Sequence, residues 1–357
     1  MVTGTPGATR RVKIAGLATY VPPRLLTNAD LEKLVDTTNE WILQRTGIRE
    51  RHVVDEGEAT SDLGARAARR ALETVGIPAE DLDLLILATS SPDSIQPPTG
   101  CHVQREIGAW NAAVVDVNAV CTGFVYGLSM ASDMMRGNPG YRTALVVGAE
   151  AYSRILNWED RTTCVIFGDG AGAAVLRPVD EGYGILSSYL RADGSKHKTI
   201  CVPGGGSRMP ASPEVLIKRL DKFHMNGREV WDFVIEAFPQ AVREAVRAAG
   251  LSLQDVELVV SHQANAILIQ ACMERLGLPM DKTYLTVERY GNTSAASVPI
   301  TLDEAARAGR LRRGDVVVLV AFGGGLTWGA TALRWAGTPA DGLGLEPALA
   351  VGAAATA

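Results

Sequence analysis

The sequence predicts an α/β protein built from two related halves, and three observations carry that prediction. The segment from Ala68 to Leu87, ARRALETVGIPAEDLDLLIL, is echoed by the one from Val242 to Ser261, VREAVRAAGLSLQDVELVVS. At one constant offset, Arg69 falls on Arg243, Ala71 on Ala245, Gly76 on Gly250, Asp81 on Asp255 and Leu84 on Leu258. Each copy reads as an amphipathic helix ended by glycine, a short turn and an apolar strand. Second, Tyr141–Glu150 and Arg312–Phe322 are near-continuous apolar runs, as strands covered on both faces require. Third, each run leads into a glycine-rich turn and a small-residue strand, GDGAGAAVL from Gly168 and GGGLTWGATAL from Gly323. Any two helix–glycine–strand units share the first feature; the recurrence of all three in order argues for duplication.

In chain order, residues 1–11 carry no amphipathic period and read as a flexible N-terminus. The first half covers residues 12–178 and the second 179–336. Two such sheets stacked around shared helices make one layered unit rather than two independent domains. Ala112–Asn118 reads as a buried strand, and Phe124, Leu128, Ala131 and Met135 follow at helical spacing. Asp221–Ala248 supplies a long helix opening the second half, Val256–Ser261 a strand and Ser297–Ala308 a further helix. Residues 337–357 lack a period and read as a disordered tail.

Composition narrows the function classes. With 46% hydrophobic and 21% charged residues and a net charge of −5, the chain reads as a soluble globular enzyme with no nucleic-acid or membrane partner. Its 5 cysteines are widely spaced and form no CxxC pair, which argues against a disulfide framework or zinc site and fits a reducing cytoplasm. No stretch reaches the roughly 18 apolar residues of a membrane span, and Met1–Arg11 lacks the apolar core of a signal peptide.

Cys121 lies in DVNAVCTGFVYGLSMASDMMRG, at a strand-to-helix turn. Free backbone N–H groups and the helix dipole there stabilise a thiolate and lower its pKa. Gly123 permits close approach of backbone or ligand. A buried cysteine acting as a small hydrophobe has the same setting, and position alone does not separate the two. Cys101, Cys164, Cys201 and Cys272 lack that setting and read as structural. His262 directly follows the strand Val256–Ser261, at the carboxyl edge that ligand sites in open sheets favour. A lone histidine is nonetheless more often a satisfied polar residue. Asn292 sits in the polar loop ERYGNTSAASVPI, where asparagine is usually a turn-former or cap. Gly323–Gly325 would let backbone N–H groups face an oxyanion. Taken singly, none of these elements decides the chemistry.

Together they resemble the thiolase-like superfamily, and within it the β-ketoacyl-acyl-carrier-protein synthase III family. The resemblance runs from about Val12 to Trp335. It takes in NADLEKLVDTTNEWILQRTGIRER, the Cys121 turn, FGDGAGAAVL, MNGREV, SHQAN, RYGNTSAASVPI and FGGGLTWGA, in family order. It implies a duplicated fold of five layers, α-β-α-β-α, with two stacked mixed sheets, and a homodimer. It also implies a catalytic set of Cys121, His262 and Asn292. Cys121 would take an acyl group from acyl-CoA. His262 and Asn292 would stabilise the enolate left when a malonyl thioester, carried by a carrier protein or otherwise, loses carbon dioxide. The backbone N–H groups of Cys121 and Gly324 would form the oxyanion hole, and no metal or redox cofactor enters.

On the donor side, Trp41 and Arg45 take the positions that sandwich the adenine of coenzyme A, and Arg161 the position at the nucleotide end. Arg228 and Asn265 complete that set, Asn265 with a bearing on the histidine region. Gln96, Phe322 and Leu326 fall at acyl-pocket positions. The sequence also departs from the family. Asp232, Ile267 and Glu274 replace basic residues of the carrier-protein docking face, with Arg275, Arg228 and Lys282 as partial compensation. Gln96 and Leu326 replace bulky apolar or aromatic residues, which points to an unusual starter. Asn118 and Thr122 beside the nucleophile are unusual, without an assignable consequence. The alternatives are a non-condensing acyltransferase that passes the acyl group to another acceptor, and a silent partner subunit; the intact Cys121, His262 and Asn292 set argues against the latter.

Overall fold

A computed structural model describes residues 10–180, 182–339 and 341. Strands β1 (Arg11–Tyr20), β2 (Leu84–Ala88), β3 (Ala113–Val117), β4 (Ala144–Glu150) and β5 (Gly170–Val179) form a five-stranded sheet in the order β1-β5-β4-β2-β3. Strands β6 (Gly184–Ala192), β7 (Val256–Ser261), β8 (Val316–Gly323) and β9 (Thr327–Arg334) form a four-stranded sheet in the order β7-β8-β9-β6. In the first, β2 runs parallel to β3 and β4, while β5 is antiparallel to β4 and β1. In the second, β7 is parallel to β8, and β9 is antiparallel to β8 and β6. Order and polarity therefore correspond strand for strand: β1 with β6, β5 with β9, β4 with β8 and β2 with β7. An isolated parallel bridge between Val259 and Thr283 marks where the second sheet would hold its counterpart of β3.

The longer helices are α1 (Asn39–Thr46), α2 (Thr60–Val75), α3 (Thr99–Ile107), α4 (Gly123–Gly137), α5 (Gly227–Ala248), α6 (Ala266–Leu276) and α7 (Ser297–Arg307). Strand alternation sends successive side chains to opposite faces, and this sorts the core. Leu85 and Leu87 of β2 pack outward with Leu63 and Leu72 of α2 and Val103 of α3. Leu84 and Ile86 pack inward with Phe124 and Leu128 of α4 and Val298 and Leu302 of α7. Val260, Val317 and Leu319 of the second sheet close that central layer from the far side. Val259, Val318 and Val320 face Val234 and Val242 of α5 and Leu268 and Cys272 of α6. The five-layer sandwich expected from the family resemblance is observed.

Boundary residues differ from the expectations at several points. Arg10 and Arg11, read with the flexible N-terminus, belong to the fold: Arg11 opens β1, and Arg10 donates to the carbonyls of Met135 and Pro139. Residues 1–9 and most of 337–357 lie outside the described residues. Within that tail Asp341 is described, and its carboxylate accepts a hydrogen bond from the Trp335 indole. The helix expected from Asp221 begins only at Gly227, because Asn226 caps it by accepting from Glu229 N–H, and His224–Met225 pair instead with Ile200–Cys201. None of the described helices is long and apolar enough to cross a membrane.

Candidate active site

The duplication positions Cys121. Asn118 and Asn292 precede the two central helices at the same distance, as do Val120 and Ser294. In each copy the asparagine Oδ1 accepts a hydrogen bond from the N–H two residues on, at 3.3 Å for Val120 and 2.8 Å for Ser294. Val120 and Ser294 are both held at positive φ, 49° and 48°. Such backbone strain is characteristic of functional turns. Asn118, without an assignable role from sequence, thus shapes the turn that presents Cys121.

Cys121 sits in a single 3-10 turn, Val120–Thr122, directly before α4, and is buried. The sequence position had implied a lowered pKa. Burial does the opposite and pushes the thiol up to about 12, against a smaller lowering by the Ser294 hydroxyl and with a further rise from the Glu150 charge. Cys121 is therefore a thiol in the resting protein. Gly323 ends β8 against this turn: a Cβ there would lie 2.8 Å from Cys121 N, so only glycine lets the Gly323–Gly325 loop close on Cys121. Gly324 follows it in the same loop. Thr327 ties loop to turn, its Oγ1 lying 2.9 Å from Thr122 Oγ1 and 3.0 Å from the Ala119 and Gly324 carbonyl oxygens.

His262 emerges where β7 ends, and its N–H donates to the Val320 carbonyl. It is buried with Phe322 edge-on at 5.1 Å between ring centres. Burial lowers its pKa to about 3, leaving a neutral ring. Nδ1 lies 2.6 Å from Ser297 Oγ, which is 2.8 Å from the Ser294 carbonyl oxygen. Asn292 is held by its backbone: its N–H donates to Ile166 O and its carbonyl accepts from Gly168 N–H. With Oδ1 taken by Ser294 N–H, the available end of its amide is the NH₂ donor.

The structure thus brings Cys121, His262, Asn292 and the glycine loop together through residues that sequence reasoning missed. Ser294 is the junction: its hydroxyl reaches Cys121 Sγ at 3.4 Å, its N–H binds Asn292, and its carbonyl accepts from Ser297. Glu150, Ser297 and Thr327 were missed as well. The constant offset of the repeat, extended to the helix starts, pairs Ser294 with Val120, a correspondence that sequence reasoning did not use.

A second cluster lies on α1. The guanidinium carbons of Arg45 and Arg161 stand 5.8 and 5.4 Å from the Trp41 ring centre. Arg161 also donates to the Asp36 carbonyl at 2.6 Å. Asn265, expected to meet the ligand, has both amide ends engaged internally. Its Oδ1 caps α6 through Ile267 and Leu268 N–H, and its Nδ2 donates to Arg45 O at 2.7 Å. It acts as a strut between α1 and the His262 loop. Arg228 is exposed in the first turn of α5.

Leu326 is fully buried, with its N–H and carbonyl paired to Asp193. Gln96 is exposed, and its described hydrogen bond is local, from Ser94 Oγ to its own carbonyl. The single chain therefore does not bring Gln96 to the cysteine cluster. Asp232, Ile267 and Glu274 are exposed. Two of the expected compensating cations are already paired, Arg275 with Glu236 at 2.6 Å and Lys282 with Glu257 at 3.0 Å.

Known proteins share this sequence and fold. The model of 3-oxoacyl-[acyl-carrier-protein (ACP)] synthase III matches residues 115–194, which hold Cys121. The model of its C-terminal part matches residues 246–335, which hold His262, Asn292 and the glycine loop. The chain is 50% identical over 322 residues to the β-ketoacyl-[acyl-carrier-protein] synthase III of Caldanaerobacter subterraneus subsp. tengcongensis, covering 90% of this chain and 97% of that protein. Among solved structures it is similar to 3-oxoacyl-[acyl-carrier-protein] synthase III from Aquifex aeolicus VF5, with a TM-score of 0.84 and 40% identity over 91% of this chain and 100% of that one. It is also similar to the priming β-ketosynthase of the R1128 polyketide pathway, with a TM-score of 0.85 and 32% identity over 93% and 99% of the two chains.

Proposed function

The chain belongs to the 3-oxoacyl-[acyl-carrier-protein] synthase III family of condensing acyltransferases, which prime fatty-acid synthesis, and on that premise we propose how its residues divide the reaction. Cys121 attacks the thioester of an acyl-CoA, coenzyme A leaves, and the acyl group stays on Sγ. Backbone N–H groups of Cys121 and Gly324 hold the oxyanion, in a loop fixed by the close approach of Gly323. A malonyl thioester on a carrier protein then loses carbon dioxide, and its carbanion attacks the acyl-enzyme.

The Asn292 NH₂ and His262 Nε2–H stabilise the enolate oxygen. A ring kept neutral by burial suits this donor role, because the enolate needs hydrogen bonds and not a strong acid. Ser297 holds the ring in place through the 2.6 Å contact between its Oγ and Nδ1. Decarboxylation supplies the driving force, so the chemistry requires no metal or redox cofactor. Trp41, Arg45 and Arg161 receive the adenine end of coenzyme A, and adenine stacks on the Trp41 ring between cations.

The observation that carries this reading is the convergence of Asn292 and Cys121 directly, and of His262 through Ser297, on Ser294. The test is intact-mass analysis after incubation with mixed acyl-CoAs, followed by carbon dioxide release on adding malonyl-carrier protein. Acyl groups on Cys121 and release of carbon dioxide that both vanish in Cys121→Ala support the reading. Loading followed by acyl transfer without carbon dioxide release would establish the non-condensing acyltransferase instead.

Three finer points belong to the same proposal. The starter is not acetyl alone, given Gln96 and Leu326 at pocket positions; a strong acetyl-CoA preference across an acyl-CoA panel would sink this. The docking face leans on Arg228 and on the exposed Trp231 and Ile267 more than on a field of cations. A malonyl-carrier protein from fatty-acid synthesis that lost most of its affinity on adding salt would contradict that. The protein acts in the cytoplasm as a homodimer, with Ile95 (81% exposed) and Trp110 (66% exposed) in contact with the second copy. Light scattering that gave a monomer would exclude the dimer.

A further inference from the structure

Acylation of Cys121 sets free a thiol proton, and the residues so far assigned do not take it. His262 is a poor proton acceptor, because burial leaves its pKa near 3. Asn292 is a donor. Behind the nucleophile, however, stands a carboxyl group that the mechanism leaves unused.

Glu150 is the last residue of β4 and is completely buried. Thr89 Oγ1 donates to it at 3.2 Å, Ser90 N–H at 3.1 Å, Ser90 Oγ at 2.9 Å and Ser91 N–H at 3.0 Å, with Ser91 Oγ as a further donor. Ser294 Oγ lies 3.0 Å from Glu150 Oε1 on one side and 3.4 Å from Cys121 Sγ on the other. The titratable groups facing Glu150 are Cys121 and Tyr152, whose phenol lies 2.9 Å from Ser90 Oγ. No cation pairs with Glu150 among the described residues. Burial raises its pKa, and the hydroxyl and amide donors oppose that rise.

Acceptor strength sets the direction of the chain of bonds, because Ser294 Oγ is within reach of both Cys121 Sγ and Glu150 Oε1. A serine hydroxyl has a single proton, and a carboxylate is a better acceptor than a thiol sulfur. Ser294 O–H therefore points to Glu150, and the Cys121 S–H faces the free lone pairs of Ser294 Oγ.

We propose that Ser294 and Glu150 form a proton relay for Cys121, with Ser294 as the catalytic link and Glu150 acting through it. This rests on Cys121 being the acylated nucleophile. As the Sγ–acyl bond forms, the thiol proton passes to Ser294 Oγ and the Ser294 proton passes to Glu150. The bond between the acyl carbon and the coenzyme A sulfur breaks, and that thiolate takes a proton from solvent. Glu150 then stores the proton through the lifetime of the acyl-enzyme. When condensation expels Sγ as a thiolate, the proton returns by the same path. One full cycle consumes one solvent proton and releases one carbon dioxide from the malonyl carboxylate.

The test is single-turnover acylation of Cys121 by acyl-CoA, followed by intact mass against pH, in the full-length protein and two variants. Glu150→Gln keeps the shape and removes the base; Ser294→Gly removes the link and suits the left-handed backbone there. In the parent protein acylation rises as Glu150 ionises. Either variant should acylate about 100-fold more slowly near neutral pH, with the rise moved to alkaline pH where the thiol ionises unaided. A folded Glu150→Gln protein with the parent rate and pH profile overturns the relay. Should that variant not fold, an unchanged profile in Ser294→Gly overturns it equally. A parent protein that never acquires an acyl group on Cys121 would instead remove the nucleophile assignment itself.

Discussion

Thr122 Oγ1 lies 2.9 Å from Thr327 Oγ1, so the turn that carries Cys121 is clasped to the strand that follows the glycine loop. The two residues come from opposite halves of the chain. Thr327 keeps the Ala119 and Gly324 carbonyls as partners when Thr122 is lost. Thr122→Val should therefore cost only about 1 kcal/mol in stability. Its kcat should fall by about tenfold, because the loop holding the oxyanion donors loses its register with Cys121. Urea denaturation and steady-state kinetics on one preparation check both.

Gly148 sits in β4 where the Ser294–Ala296 turn crosses it. A Cβ there would lie 2.4 Å from the Ala295 carbonyl oxygen and 3.0 Å from the Ala295 carbonyl carbon. Backbone cannot rotate away as a side chain does, so Gly148→Ala should destabilise by about 3 kcal/mol. It should also push Ser294 off Cys121 and depress acylation. A variant of parental stability would show that the crossing is looser than the geometry implies.

Trp41 offers its ring to two guanidinium groups, and removing it should weaken coenzyme A binding by about 1.4 kcal/mol, or tenfold in KM. Because the loss is confined to the adenine end, Trp41→Ala should handle an acyl-pantetheine donor as the parent does. Equal damage with both donors would place the role of Trp41 elsewhere.

His262 links stability to pH. Its folded pKa, near 3, is depressed below the unfolded value of 6.5, so between those values the unfolded chain binds a proton that the folded one refuses. This contribution is intact above pH 6.5 and is lost as pH falls. His262→Gln should flatten the decline by about 1.4 kcal/mol per pH unit at most. Urea midpoints at two pH values inside that window measure it; parallel curves for the two proteins would show that His262 is protonated when folded.

Much of the fold was legible because hydrophobic periodicity and glycine punctuation are local. The boundaries of β7 and the nucleophile turn followed from residues within a few positions of each other. The echo between Ala68–Leu87 and Val242–Ser261 announced a duplication that matching strand orders display. The ordered motifs supplied the family, and with it the expectation that Cys121, His262 and Asn292 belong together.

Contacts between the two halves were another matter. Ser294 is distant from both Cys121 and Glu150 in the chain, and a small polar residue in a loop gives no local sign of which groups it will touch. Glu150 gave one hint, a lone acid ending an apolar strand, but its donors Ser90 and Ser91 come from another strand end. The sequence by itself determined the repeat and the layered α/β class, because these depend on patterns that each segment carries alone. Only the tertiary structure decided that Cys121 rests as a buried thiol and that Asn265 is a strut. It also decided that a carboxyl group waits behind Ser294. Burial and close approach are properties of what surrounds a residue, and here the surroundings come from opposite halves of the chain.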